Sequence, residues 1–180
     1  MSWRRFILGC TAGNILEWYD FILYGYFSPV LAALFFPSEN YYISMLLIFA
    51  VFASGCLMRP LGSLLFGHIG DTYGRKHALL ITVVVITLST TAIGLLPTYQ
   101  HVGFWAPVLL VISRLIQGLA VSGEEVGAAV FLTENAPVKK RAFAGSLILG
   151  SVYMGLLLGA VTAFLVTSLC SHAALMSWAW

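Results

Sequence analysis

Two carboxylates, Glu17 and Asp20, and one amide, Asn14, interrupt the apolar run GNILEWYDFILYG at residues 13–25. A charge at the centre of a bilayer costs from about 2.5 kcal/mol on insertion scales to far more in simulations, so such residues mark ion pathways or proton sites. Other apolar stretches hold candidate partners: Arg59, Arg114, Gln117, Glu124 and Glu125. Four carboxylates against two arginines leave a net charge of −2 if all ionise. Desolvation and like-charge repulsion are both relieved when one acid takes up a proton. A protonatable acid beside a cavity suits a proton-coupled carrier; a set of buried ion pairs that only sets helix register is the other reading.

On a helix, Asn14, Glu17, Asp20, Phe21 and Tyr24 fall within about 120° of one face, and Cys10 and Ser28 extend the stripe. Arg114, Gln117, Glu124 and Glu125 share about 100° of a second helix. Arg59 stands before Pro60, an expected kink that frees a backbone carbonyl. With a rise of about 1.5 Å per residue, Asp20 comes near mid-membrane. The estimate divides the polar residues into an outer group (Asp20, Arg114, Gln117) and an inner one (Glu17, Arg59, Glu124, Glu125).

The elements that position these residues must be membrane helices. Hydrophobic residues make up 60% of the 180 and charged residues 9%, too few to cover a soluble surface. Five stretches are long enough to span: Phe6 to Phe36, Tyr42 to Phe66, Ala78 to Leu96, Trp105 to Leu132 and Phe143 to Leu169. The fold class expected is therefore all-α, a polytopic membrane bundle, with residues 1–180 as one partial transporter domain. Lysine and arginine between spans occur only at Arg4 and Arg5, at Arg75 and Lys76, and at Lys139, Lys140 and Arg141. These lie at alternate helix ends, so the positive-inside rule puts the N-terminus in the cytoplasm.

The same composition excludes several classes. A net charge of +2, with basic residues at segment ends, gives no support for nucleic acid as a partner. Cys10, Cys56 and Cys170 lie in apolar stretches without metal-ligand spacing. His68, His77, His101 and His172 form no HExxH, and no GxSxG occurs, so no enzyme, metal or cofactor is expected. The apolar stretch directly before Cys10 is only four residues long, too short for the core of a cleaved signal peptide. Small residues pair at helix-packing spacing: Gly118 with Ser122, Gly123 with Gly127, Ser146 with Gly150, and Gly155 with Gly159.

The segment GHIGDTYGRKHA, residues 67–78, is more specific. Gly67, Gly70 and Gly74 allow a tight turn, Asp71 is placed to cap the next helix, and Arg75 and Lys76 hold the cytoplasmic side. This segment resembles the G-x-x-x-D-x-x-G-R-K loop of the major facilitator superfamily. With GNILEWYDFILYG, RPLGSLLFGHIGDTYGRK and RLIQGLAVSGEEVGAAVFLTENAPVKKR in that order, the whole chain is similar to the metabolite:H+ symporter branch. Members of that branch carry proline/betaine, α-ketoglutarate, citrate or shikimate.

The resemblance implies a loop between the second and third helices that locks the outward-open state. It also implies a charge relay in which Glu134, Pro137 and Arg141 match the residues after the fourth helix and work with Asp71 and Arg75. The family has twelve helices in two halves, so five helices make less than one half and imply a carboxyl-terminal half as partner, with a sixth helix expected to begin at Trp178-Ala179-Trp180. The function implied is proton-driven symport of a small organic acid or a zwitterionic osmolyte through the lipid bilayer, and the location implied is a bacterial inner membrane. The alternatives are a non-transporting membrane fragment and an uncoupled facilitator. Arg59 and Arg114 suit a substrate carboxylate, yet nearby acids can neutralise either one, so the sign of the substrate's charge stays open.

Overall fold

The computed structural model describes the backbone of residues 3–176, and the side chains of residues 7, 11–123, 127–171 and 174–176. The described residues form helices and no strands: α1 (Trp3–Phe35), α2 (Tyr41–Tyr73), α3 (Arg75–Gly94), the short α4 (Tyr99–Val102), α5 (Trp105–Glu134), a 3-10 turn (Val138–Lys140), α6 (Arg141–Leu169) and the short α7 (His172–Leu175). The start of a further helix expected at Trp178 lies outside the described residues.

Among the described residues, four segments are apolar and long enough to cross a bilayer: Tyr41–Tyr73, Arg75–Gly94, Trp105–Glu134 and Val138–Leu169. The sequence led us to expect five. α1 has the length, 33 residues, but is not among the four; Asn14, Glu17, Asp20 and the tyrosines beside them lower its hydropathy. The outer faces of the other helices carry large exposed apolar side chains, among them Leu46, Leu57, Leu64, Leu88, Leu157 and Phe164. Such a surface needs lipid or protein against it rather than water.

Helix ends also depart from expectation. α2 was expected to stop at Phe66 but continues through Gly67 and Gly70 to Tyr73, because nothing in that stretch breaks the helix and lipid does not have to surround it. The turn is made by Gly74 alone, at φ 91°, a backbone region that costs little only for glycine. Asp71 therefore sits inside the last turn of α2 instead of capping α3, whose N-cap is Gly74 with no side-chain cap bond. α2 also runs on through Pro60, and α1 through Pro29. The Gly25 carbonyl that Pro29 cannot serve accepts a bond from Ser28 Oγ at 2.8 Å.

Packing is led by two contacts, α2 with α5 and α1 with α6, followed by α3 with α5. Glycine makes both leading contacts close. A Cβ on Gly118 would strike the Gly55 backbone, and one on Gly155 would come within 2.5 Å of the Ile15 carbonyl. Gly123 faces Phe66 and Thr82, and Gly127 faces Leu79. The Ser146 and Gly150 pair does not pack: Gly150 faces open space, and Ser146 bonds back to Phe143 O on its own helix.

Candidate functional site

A cavity opens where α1, α2 and α5 meet, with Ile86 of α3 at its edge. Its walls include Glu17, Asp20, Arg59, Arg114 and Gln117, together with Phe21, Phe52 and Cys56. Each acid is delivered by α1 and each base by a different helix, so both ion pairs close between helices rather than along one.

Asp20 is held by two donors from α5. Its Oδ2 accepts from Arg114 Nη1 at 3.2 Å and from Gln117 Nε2 at 2.7 Å. Gln117 also takes a bond from Arg114 on its Oε1 and donates from Nε2 to Thr90 Oγ1 of α3 at 2.9 Å. Arg114 is 7% exposed, and its guanidinium carbon stacks 3.8 Å from the centre of the Tyr24 ring. That cation–π contact compensates part of the desolvation of a buried cation. The Tyr24 hydroxyl in turn donates to Ile48 O of α2 at 3.0 Å, and its ring stacks on Phe52 at 5.3 Å.

The second pair is Glu17 with Arg59, at 3.6 Å. The Arg59 side chain is 32% exposed and that of Glu17 only 3%. Asp20 with Arg114 and Glu17 with Arg59 are thus two ion pairs lining one cavity. Asn14 takes another direction: fully buried, it donates to Ile148 O at 3.1 Å and to Ser151 Oγ at 2.7 Å, both on α6. The side chains of Glu124 and Glu125 lie outside the described residues.

At the end of the bundle that carries the basic residues, Arg75 reaches Asp71 at 3.5 Å and Glu134 at 3.8 Å. It thereby joins α2, α3 and α5 through side chains that are all substantially exposed. Arg141 begins α6 and lines a shallow pocket with Thr133 and Glu134. Lys76 is exposed in the first turn of α3. Gly67 and Gly70 line a groove with Arg75, and Gly70 lies against Ala78.

Sequence reasoning missed Thr90. It is one of four threonines on α3, and nothing in its spacing separates it from its neighbours Thr87 and Thr91, which bond their own helix. The aromatic group of Phe21, Phe52 and Tyr24 was likewise only half read, because Phe52 is an ordinary apolar residue of a spanning helix.

Residues 6–180 match the model of the family described as sugar (and other) transporter. The chain is similar to the glycine betaine/proline/ectoine/pipecolic acid transporter of Dickeya dadantii, with 40% identity over 98% of this chain and 35% of that protein. It is also similar to the shikimate transporter of Escherichia coli, at 43% identity over 98% of this chain and 41% of that one. The citrate-proton symporter of Klebsiella pneumoniae is 36% identical over 97% and 39%. The chain thus spans little more than a third of the length of these relatives. No solved structure matches it. The family and these relatives are transporters, not enzymes. The acid and base pairs between apolar helices agree with that match over nearly the whole chain, and the chain belongs to the sugar (and other) transporter family of the major facilitator superfamily.

Proposed function

We propose that this chain forms the amino-terminal part of a proton-coupled symporter for a small organic acid or a zwitterionic osmolyte. The observation that carries the reading is the cavity itself, lined by two acids from α1 and two arginines from α2 and α5. The names of the relatives add to it: a betaine/proline carrier, a shikimate carrier and a citrate-proton symporter. In this reading the N-terminus lies in the cytoplasm, with α1 crossing alongside α6, and alternating access rocks this part against a carboxyl-terminal half that completes the cavity.

The two acids have different tasks. Asp20, held by Arg114 and Gln117, serves as ion-pair partner and cavity wall. Glu17 serves as proton carrier: its partner Arg59 is the more exposed of the two arginines, and the pair borders the space through which a proton would arrive. Glu124 is the competing carrier on sequence grounds. Asp71, Arg75, Glu134 and Arg141, with Lys76 beside them, act as the gate and relay at the cytoplasmic end.

The test is Glu17→Gln in a complete transporter carrying this segment. A neutral isostere mimics the protonated acid, so accumulation driven by an imposed pH gradient should be abolished while counterflow without a gradient persists. Retained gradient-driven accumulation refutes the assignment to Glu17, and the same measurement on Glu124→Gln decides for its rival. A second reading rests on the short span relative to the relatives: the chain by itself is a non-transporting membrane fragment or part of an uncoupled facilitator. Uptake by the 180-residue chain compared with that of the complete transporter separates these outcomes.

A further inference from the structure

We infer that Thr90 is a positioning residue for the cavity: its hydroxyl holds the Gln117 carboxamide where that group can serve Asp20 and Arg114 together. The inference rests on the transport reading above.

The argument is one of donors and acceptors. A guanidinium only donates, and an ionised carboxylate only accepts. With Arg114 on its oxygen and Asp20 on its nitrogen, the Gln117 amide has one orientation that satisfies both. Turning it over would set donor against donor and acceptor against acceptor. This leaves the second N–H of Nε2, and Thr90 Oγ1 accepts there at 2.9 Å. The terminal torsion of a glutamine is broad, so two partners on one side of the amide do not hold its plane. The third contact, from α3, does so.

Thr90 is also where α3 enters the cluster. Asp20 belongs to α1, and Arg114 and Gln117 to α5, so the Gln117 amide links three helices through hydrogen bonds. Thr90 does not itself line the cavity, whereas Gln117, Asp20 and Arg114 all do. Its effect on substrate must therefore pass through Gln117.

The experiment uses Thr90→Val, Thr90→Ser, Gln117→Leu and the Thr90→Val/Gln117→Leu pair in the complete transporter, compared at equal membrane abundance. Radiolabelled proline, glycine betaine, shikimate and citrate are the probes, and the one taken up by the unaltered protein is carried through the series. Valine keeps the shape and removes the acceptor. A net hydrogen bond translates to a change of about three- to tenfold, expected in KM with kcat little altered. Serine should restore KM to within about twofold, as expected when the hydroxyl and not the methyl matters. In the Gln117→Leu background, Thr90→Val should add nothing further.

An unchanged KM in Thr90→Val overturns the inference. So does a multiplicative effect in the double variant, or failure of serine to restore. Thermal melting of the same purified proteins supplies a reading without transport: the two single losses should be non-additive. Absence of uptake of every probe by the unaltered protein counts against the transport reading, and additive melting losses then overturn the positioning role as well.

Discussion

At the scale of residues, Asp20 and Arg114 illustrate why a buried ion pair is fragile to removal of one member. Asp20→Asn keeps the shape but leaves Arg114, 7% exposed, without the carboxylate it contacts. An uncompensated buried charge costs about 3–5 kcal/mol. The expected result is a sharp loss of melting temperature and membrane abundance, and an Asp20→Asn protein as stable as the parent would contradict the assignment. This cluster was legible in the sequence because intramembrane charges are rare and helical rise groups Asp20 with Arg114 and Gln117, which lie somewhat outward of it. Asn14 was not legible to the same degree: a polar arc of about 120° is wide enough to face two neighbours, and Asn14 turns to Ile148 and Ser151 of α6. Thr90 was hidden because a threonine in an apolar helix usually bonds its own backbone, as Thr87 and Thr91 do.

At the scale of elements, close approach of backbones sets the packing, and two glycines of similar appearance should respond in opposite ways. Gly118→Ala drives a methyl into Gly55 of α2, an overpacking expected to cost about 1–3 kcal/mol. Gly150→Ala meets open space and should be neutral or stabilising by up to about 1 kcal/mol. Melting of both variants in detergent checks the pair, and equal losses would show that spacing alone decides. The helices themselves were plain from runs of about 20 apolar residues. Their ends were not, since α2 leaves the apolar run and stays helical to Tyr73, a continuation on which hydropathy is silent. At the junction after Tyr73, the exposed Asp71–Arg75 and Arg75–Glu134 contacts are each worth only about 0–1 kcal/mol. Asp71→Asn and Arg75→Ala should accordingly leave melting almost unchanged while lowering turnover more than substrate binding. Loss of binding with intact exchange rates would count against a gating role.

At the scale of the whole molecule, the proposed orientation predicts alternate sides for successive connections. A reporter inserted at Pro97 should lie outside the cytoplasm and one at Pro137 inside, because Arg75, Lys76, Lys139, Lys140 and Arg141 occupy one end of the bundle; cytoplasmic activity at Pro97 would reverse the assignment. The strongest helix contacts group α1 with α6, and α5 with α2 and α3. The Glu17–Arg59 and Asp20–Arg114 pairs both cross from the first group to the second. On the proposed reading, these two pairs are stitches across a seam, with both negative ends sewn to one edge and both positive ends to the other. A proton landing on Glu17 would then undo one stitch without breaking a covalent bond. A proton gradient would then loosen one seam inside a part that rocks as a whole, while the Asp20 stitch keeps the two helix groups in register.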